Sequence, residues 1–337
     1  MGVAATMTGP RTAVAPGLAL LALALFCASL ALGPVGLSPG RLLGGLVGHG
    51  SAADTLIVQQ IRLPRALLAV VIGAGLGMAG AALQGLLRNP LADPSVIGVS
   101  STAGLGAVLA FYSGLAGALP LALPLGAVAG GLVAVCLLFV LCGRDAGTLT
   151  LILAGAGINS LAAALTALAL NLSSSPFAIA ELVFWLLGSL NDRSLDHVWL
   201  AVPPVVVGIL LLARSGQALD ALVLGEGVTQ SLGFSVRRTR GLVVVGTALA
   251  VGPGVAVAGT IGFVGLAVPH LLRPLVGHQP SRLLWPSAAG GAALVLASDI
   301  LVRLLPTAAE LKLGVVTSML GAPLFLALLL RLRSGDA

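Results

Sequence analysis

Charge is scarce in this sequence. Only 8% of its 337 residues are Asp, Glu, Lys or Arg, whereas a soluble domain carries about 25%. Hydrophobic residues make up 58% of the chain, which excludes a disordered polymer as well as a water-soluble fold. The composition therefore predicts an all-α polytopic membrane protein, which we treat as a single transmembrane domain over residues 1–337.

Lysine occurs only once, at Lys312. A phosphate-binding P-loop needs a glycine-rich turn followed by lysine and a hydroxyl residue, and Lys312 lies in no such turn. Residues 75–80 match the pattern GxGxxG, but they lie within an apolar run and follow no strand, so helix packing explains these glycines better. We therefore expect no catalytic residue and no cofactor in this chain. Basic residues also form no cluster with interleaved aromatics, so nucleic acid is not an expected partner.

Ionisable groups are rare inside the apolar runs. Apart from Asp196 at the start of the run 195–213, Asp299 is the one carboxylate in a predicted span. Arg303 follows four residues later, where it can pair with Asp299. An ion-coupled carrier usually holds several ionisable groups at mid-membrane, so that class is disfavoured. The histidines and cysteines lack the spacing of a metal site, and a structural role for His270 is favoured over metal ligation.

Apolar runs of bilayer length recur along the chain. We predict ten spans with a short eighth, a short outer helix at 177–190 and a hydrophilic cytoplasmic segment at 214–240. Ala-Gly pairs in similar contexts in helices 2 and 7 suggest a weak inverted repeat. Helices 2–5 fall within 62–170 and helices 7–10 within 241–330. The ten runs are 14–33, 66–87, 97–112, 118–141, 149–170, 195–213, 241–258, 259–272, 283–302 and 313–330.

Arginine is unevenly distributed between the predicted loops. With both termini in the cytoplasm, eleven arginines lie inside and six basic residues outside; the opposite topology would reverse this positive-inside bias. We therefore predict cytoplasmic termini. The inside set is Arg11, Arg88, Arg144, Arg214, Arg237, Arg238, Arg240, Arg273, Arg282, Arg331 and Arg333. The outside set is Arg41, Arg62, Arg65, Arg193, Arg303 and Lys312.

The cytoplasmic segment 214–240 has the pattern of two short helices joined by a turn. Leu219, Leu222 and Val223 share one face of the first helix, and Gly225 and Gly227 flank the turn. Such a pair would fit a groove in a partner protein, or it would lie on the lipid surface. The residues alone leave both interpretations open.

An ordered series of motifs covers nearly everything from residue 60 to 330. The motifs are Arg62-Leu63-Pro64-Arg65, Gln84 with Arg88 to Pro94, Ile97 to Ser100, Leu153 to Gly155, Trp185 to Ser189, Leu224-Gly225 with Leu232-Gly233, Gly262 to Arg273, Asp299 with Arg303, Glu310-Leu311 with Gly314, and Gly321 to Phe325. This series resembles the permeases of type II ABC importers for iron chelates, haem and vitamin B12, the FecCD-type family.

The resemblance implies a permease in the bacterial inner membrane with several partners. These are a second copy of the chain, two separate ATPase subunits that bind ATP and magnesium, a periplasmic substrate-binding protein and membrane lipid. The expected function is import of an iron chelate, siderophore or haem, from periplasm to cytoplasm. Vitamin B12 is the alternative substrate, and an ion-coupled secondary transporter is a less favoured alternative.

The resemblance also assigns roles to individual residues. Arg62, Arg65 and Arg303 would dock the binding protein, although snorkelling at helix ends explains such arginines too. Asn89, Leu91 and Thr148 would form a cytoplasmic gate, although helix termination by proline with an Asn cap explains them equally well. Coupling to the ATPase would use residues of 220–236, namely Asp220, Leu224, Gly225, Glu226, Leu232 and Gly233.

Overall fold

The structure is a computed structural model that describes residues 14–119, 121–143, 147–173, 175–306 and 310–334. Within these ranges every regular element is a helix, so the all-α prediction is confirmed. Arg11 and Arg144, which contribute to the predicted orientation, lie outside them. The helices are α1 Val14–Ala31, α2 Pro39–Val47, α3 Ala52–Thr55, α4 Leu63–Leu87, α5 Val99–Tyr112, α6 Leu115–Ala118, α7 Ala122–Cys142, α8 Thr148–Asn171, α9 Pro176–Leu186, α10 Leu195–Arg214, α11 Gly216–Val223, α12 Glu226–Ser231, α13 Val236–Ala258, α14 Val264–Val276, α15 Pro280–Leu304 and α16 Leu313–Ser334.

Seven helical segments in the described part are long and apolar enough to cross a membrane. They are α1, the continuous helix Ala52–Leu87, α7, α8, α10, α13 and α15. Shorter apolar helices are α5, α9, α14 and the Leu313–Pro323 part of α16. The short outer helix predicted at 177–190 corresponds to α9. A total of ten spans would require α5, α14 and α16 to cross as well, and that number, like the inverted repeat, stays a prediction.

Helix α4 lies at the centre of the bundle and is buried along most of its length. Its glycines contact neighbouring backbones directly, because a Cβ on Gly73 or Gly77 would overlap a carbonyl oxygen of α15 and one on Gly75 a carbonyl oxygen of α13. Gly80 meets the carbonyl oxygen of Gly265 in α14 in the same way. The GxGxxG match is therefore a packing surface, in agreement with the sequence prediction.

The predicted eighth span, 259–272, begins too early: its first five residues are not helical. Helix α13 ends at Ala258, and the chain stays non-helical until α14 begins at Val264. Gly259 has φ +71° and Phe263 has φ +65°, both in the left-handed region. The interruption is paired to the end of α9, since Ser189 N–H donates to the Ala258 carbonyl at 2.7 Å and Thr260 N–H to the Leu186 carbonyl at 3.3 Å. These partners are distant in sequence, so hydropathy gave no sign of the break.

A helical segment between α1 and α4 was not predicted. It comprises α2, α3 and a π-helix, Leu56–Arg62, which leads directly into α4. Arg41 Nη2 lies 2.6 Å from Asp54 Oδ1, which ties α2 to α3. The start and end signals were present: Pro39 occupies the first turn of α2, and Gly48 ends it in a left-handed conformation.

Candidate functional site

The three arginines expected to dock a binding protein lie close together at one end of the bundle, which we call the outer end after the predicted orientation. Arg62 is only 4% exposed. Its guanidinium donates to the carbonyls of Leu30 and Ala31 at 2.8 Å each, and to that of Val35. Arg62 therefore satisfies carbonyl groups at the C-terminal end of α1, where a helix leaves them unpaired and favours a cation.

Arg65 lies between two carboxylates from distant parts of the chain. Its Nε donates to Asp299 Oδ1 at 2.8 Å, and Nη2 pairs with Glu310. Nη1 also approaches Asn191 Oδ1 at 3.4 Å. The side chain of Asp299 is 1% exposed and that of Glu310 is 29% exposed. One pairing is thus fully buried and the other reaches the surface.

Arg303 completes this cluster from the last turn of α15. Its Nη2 lies 3.0 Å from Asp299 Oδ2, which confirms the predicted i,i+4 pair. The same guanidinium donates to Ser29 Oγ at 2.6 Å and to the Ser29 carbonyl at 3.0 Å on α1. Asp299 therefore holds two arginines at once, and breaking such a buried arrangement typically costs about 3–5 kcal/mol.

A groove of about 420 Å³ opens beside this cluster at the outer end. Arg62, Arg65, Arg303 and Glu310 all line it. Sequence reasoning grouped the three arginines but did not assign Glu310 a partner, and the structure pairs it with Arg65. Lys312 Nζ lies 5.4 Å from the ring centre of Phe184. The docking role of the arginines stays a prediction, since each of them already has partners within the chain.

At the inner end, the turn after α4 is shaped by local polar contacts. Asn89 Oδ1 accepts from the Leu91 N–H at 2.9 Å, and Asp93 Oδ1 accepts from the Ser95 N–H at 2.9 Å. Asp93 thereby caps the short 3-10 helix Pro94–Ile97. Burial raises the pKa of the Asp93 carboxyl group, and its hydrogen bonds with Ser95 oppose that rise.

Gln84 connects this turn to α14. Its amide nitrogen lies 3.3 Å from the Ala92 carbonyl oxygen and 3.4 Å from that of Gly265, while its carbonyl oxygen accepts from Arg273 Nη2 at 2.6 Å. Gln84 is 2% exposed, so these contacts satisfy a buried amide. The motif at this position was noted in the sequence, but its partners lie too far along the chain to have been predicted.

The three predicted gate residues differ in their surroundings. Asn89 and Leu91 are exposed within the turn, and Thr148 is the first, half-buried residue of α8. Among the described residues, no hydrogen bond or ion pair joins Thr148 to Asn89 or Leu91. A shared role as a gate therefore stays a prediction.

The predicted pair of short helices in the segment 214–240 is confirmed as α11 and α12. Gly225 separates them with φ +104°, a conformation that favours glycine. Leu219 and Leu222 are buried against the bundle, whereas Val223, the last residue of α11, is 55% exposed. The outward surface is apolar: it contains Val223, Leu224, Val228 and Leu232.

Two acidic residues fasten this helix pair to long helices. The Asp220 carboxylate accepts from the Ser281 N–H at 2.8 Å, from the Ser281 hydroxyl at 2.6 Å and from Gln279 Nε2 at 2.8 Å, all at the start of α15. Glu226 Oε1 lies 2.6 Å from Arg240 Nη2 in the first turns of α13. A movement of α11 and α12 would therefore be transmitted through these contacts to α13 and α15.

Metal ligation finds no support in the described part of the chain, where no group of three or more His, Cys, Asp or Glu side chains could hold an ion. His270 is half-buried in α14.

Comparison with known proteins identifies the family to which this chain belongs. The sequence profile of the FecCD transport family matches residues 20–331. The vitamin B12 import system permease protein BtuC of Klebsiella pneumoniae is 40% identical over 321 residues, which cover 94% of this chain and 93% of that protein. BtuC of Salmonella paratyphi A is 39% identical over 315 residues, with 93% and 94% covered. The uncharacterised ABC transporter permease protein YvrB of Bacillus subtilis is 40% identical over 299 residues, with 87% and 84% covered.

Solved structures agree with the sequence comparisons. One, described as an inward-facing conformation of a metal-chelate type ABC transporter, matches with a TM-score of 0.85 and 32% identity over 95% of this chain and 99% of that chain. PsaBC from Streptococcus pneumoniae, in complex with Fab, has a TM-score of 0.52 and 18% identity over 82% and 93%, a likeness that concerns the fold alone.

The helical bundle and its relatives define a class of protein, the multi-pass permease of an ABC importer. The matched region spans nearly the whole chain. The chain belongs to the FecCD transport family.

Proposed function

We propose that this chain is the permease subunit of an ATP-driven importer that carries a metal chelate from the periplasm across the bacterial inner membrane. The observation that carries the proposal is the match to an importer family over residues 20–331. The nearly complete structural match to a metal-chelate type ABC transporter supports the same substrate class. Both termini would lie in the cytoplasm, in keeping with the arginine distribution.

Two substrates of this class are candidates. The motifs are shared by permeases for both, and an iron chelate such as a siderophore or haem is favoured only because that class is the broadest in the family. The BtuC relatives at 39–40% identity are named for vitamin B12, which favours cobalamin. Uptake of labelled cobalamin, ferric siderophore and haem into cells that carry the importer as their only route would separate the two.

The exposed surface of α11 and α12 is proposed as the binding site of the ATPase. Leu224 and Leu232 are 65% and 58% exposed, and the glycines at 225 and 233 have free space around them. An exposed apolar surface of this kind marks a contact with a protein or a membrane, and the match to the FecCD transport family favours a protein. Because Asp220 and Glu226 attach the two helices to α15 and α13, closure of the ATPase pair would tilt those helices and open the pathway on alternate sides.

Docking of the binding protein is proposed to occur by exchange of carboxylates at Arg65. Arg65 already has a permanent buried partner in Asp299, and its second partner, Glu310, is partly exposed beside the outer groove. An acidic side chain of the docking protein would displace Glu310 without leaving Arg65 unneutralised. Arg62 and Arg303 would add positive potential that attracts the acidic surface.

The pathway itself is proposed to lie between two copies of this chain, with Asn89, Leu91 and Thr148 near its inner end. Helix α8 is a candidate surface for the second copy, because Leu153 and Leu161 are 62% and 57% exposed and would otherwise face lipid. Cysteines introduced at Leu153 and Leu161 and treated with a cross-linking reagent would give a covalent dimer if a second copy lies there.

Reconstitution tests the proposal as a whole. The permease, its ATPase and its binding protein are placed in liposomes, and accumulation of the chelate is followed with ATP on the ATPase side. We expect uptake that requires ATP and all three components. Uptake that is driven by a proton gradient without the ATPase would identify a secondary transporter instead.

A further inference from the structure

A second cavity, separate from the outer groove, lies at the inner end between α7, α8 and α13. Its volume is about 540 Å³. One wall is apolar and includes Phe139, Leu151 and Val244, while three arginines of the first turns of α13, Arg237, Arg238 and Arg240, line the rim. The cavity thus combines a hydrocarbon-like wall with a concentrated positive charge.

The positive charge of this cavity is only partly compensated. Arg237 and Arg238 are exposed, and neither side chain makes a hydrogen bond or an ion pair with another residue in the described part of the chain. Arg240 pairs with Glu226. The N-terminal end of α13, a helix of 23 residues, adds a further partial positive charge at the same place.

The apolar wall continues outward along α7. Phe139, Val140 and Leu141 are 48%, 77% and 58% exposed in the last two turns of this membrane-spanning helix. A ligand of the cavity could therefore lie partly against a surface suited to acyl chains. A small soluble anion would use the arginines and leave this wall uncovered.

We infer that the cavity binds an anionic phospholipid of the cytoplasmic leaflet, with its phosphate at Arg237 and Arg238 and an acyl chain along Phe139. Basic pockets between membrane helices on the cytoplasmic side are suited to such headgroups. The bound headgroup lies next to the Arg240–Glu226 pair that fastens α12 to α13. Lipid charge would therefore act beside the anchor of the ATPase-binding segment.

Native mass spectrometry of the purified full-length chain in detergent tests this inference. Phosphatidylglycerol and phosphatidylcholine with identical acyl chains are titrated in, and the lipid-bound fraction is measured. We expect preferential binding of phosphatidylglycerol. The double variant Arg237→Gln/Arg238→Gln should weaken its binding about 30-fold, since each near-surface arginine contributes about a five-fold factor. The double variant Arg214→Gln/Arg282→Gln, which removes two arginines outside the cavity, should bind normally.

A second variant tests whether the space of the cavity matters independently of the arginine charges. Gly241 lines the cavity, and a Cβ at this position would have no atom within 4 Å. Gly241→Leu should fill the space, keep all arginines and still reduce lipid binding. Equal binding of the two lipids, unchanged binding in Gly241→Leu or equal loss in the two double variants would overturn the inference. Displacement of the lipid by millimolar inorganic phosphate would identify a soluble-anion site instead, and displacement by the ATPase would identify part of that interface.

Discussion

Asp220 and Ser281 share two hydrogen bonds that join the inner helix pair to α15. The carboxylate accepts from both the backbone N–H and the hydroxyl of Ser281, and its third bond comes from Gln279. A carboxylate is favoured here because the first N–H groups of a helix are unpaired and carry partial positive charge. Helix α15 also carries Asp299 near its other end. One helix therefore contacts both the proposed ATPase-binding site and the outer arginine cluster.

Replacing Asp220 by Ala should uncouple the ATPase from transport. The variant loses charged hydrogen bonds worth about 1.5–3 kcal/mol each, which loosens α11 from α15. We expect a lower melting temperature and chelate uptake reduced at least about tenfold per ATP hydrolysed. The measurement is the ratio of uptake to phosphate release in liposomes. Gln279→Ala, which removes only the bond from Gln279, is the control, and an unchanged ratio in Asp220→Ala would contradict the coupling assignment.

Placing a charge directly after α12, on the exposed surface of the helix pair, should weaken assembly with the ATPase. Leu232→Asp would bury a carboxylate in the proposed apolar contact, and we expect loss of ATPase binding by about tenfold or more. Gln230→Glu introduces the same charge on an exposed neighbour and should have less effect. Co-purification of the ATPase with each variant provides the measurement. Equal retention by both variants would exclude Leu232 from the contact.

Removing the exposed partner of Arg65 should strengthen docking. In Glu310→Gln no local carboxylate competes for Nη2, so we expect about tenfold tighter attachment of an acidic binding protein. Arg65→Gln should weaken attachment by a similar factor and reduce its dependence on salt. Titrations at several ionic strengths would measure both effects, with Lys312→Gln as a control for the loss of an outer cation. Weaker docking of Glu310→Gln would show that Glu310 itself contacts the partner.

A methyl group at Gly80 should destabilise the bundle. The new Cβ would overlap the carbonyl oxygen of Gly265, which forces α4 and α14 apart. Overpacking of this kind costs about 1–3 kcal/mol. Thermal unfolding in detergent measures the effect, with Gly157→Ala as the control because a Cβ there has no atom within 4 Å. Equal melting temperatures would mean that α14 moves aside freely.

Local sequence patterns predicted the parts of this protein that are determined locally. The turn at Gly225 and the Asp299–Arg303 pair depend on residues a few positions apart, and both were found. The pairing of Arg65 with Glu310 spans 245 positions and could not be read from hydropathy. The same is true of Gln84 with Arg273. Individual roles in docking, coupling and gating came from the family resemblance, because no side-chain pattern identifies them by itself.

The interruption between α13 and α14 has a mechanical consequence. Within the interruption, the Thr260 N–H donates to the Leu186 carbonyl at the end of α9. The Gly314 N–H at the start of α16 reaches the carbonyl of Gly188, just after α9, at 3.4 Å. The helix is already interrupted at this level, so a rotation of α14 would not require a helical turn to unwind. Because the interruption is bonded to the end of α9, and the segment after α9 is bonded to α16, such a rotation would also shift those two helices. A displacement that begins at the inner end of the bundle would therefore be passed sideways to α9 and α16 at the level of residues 259–263.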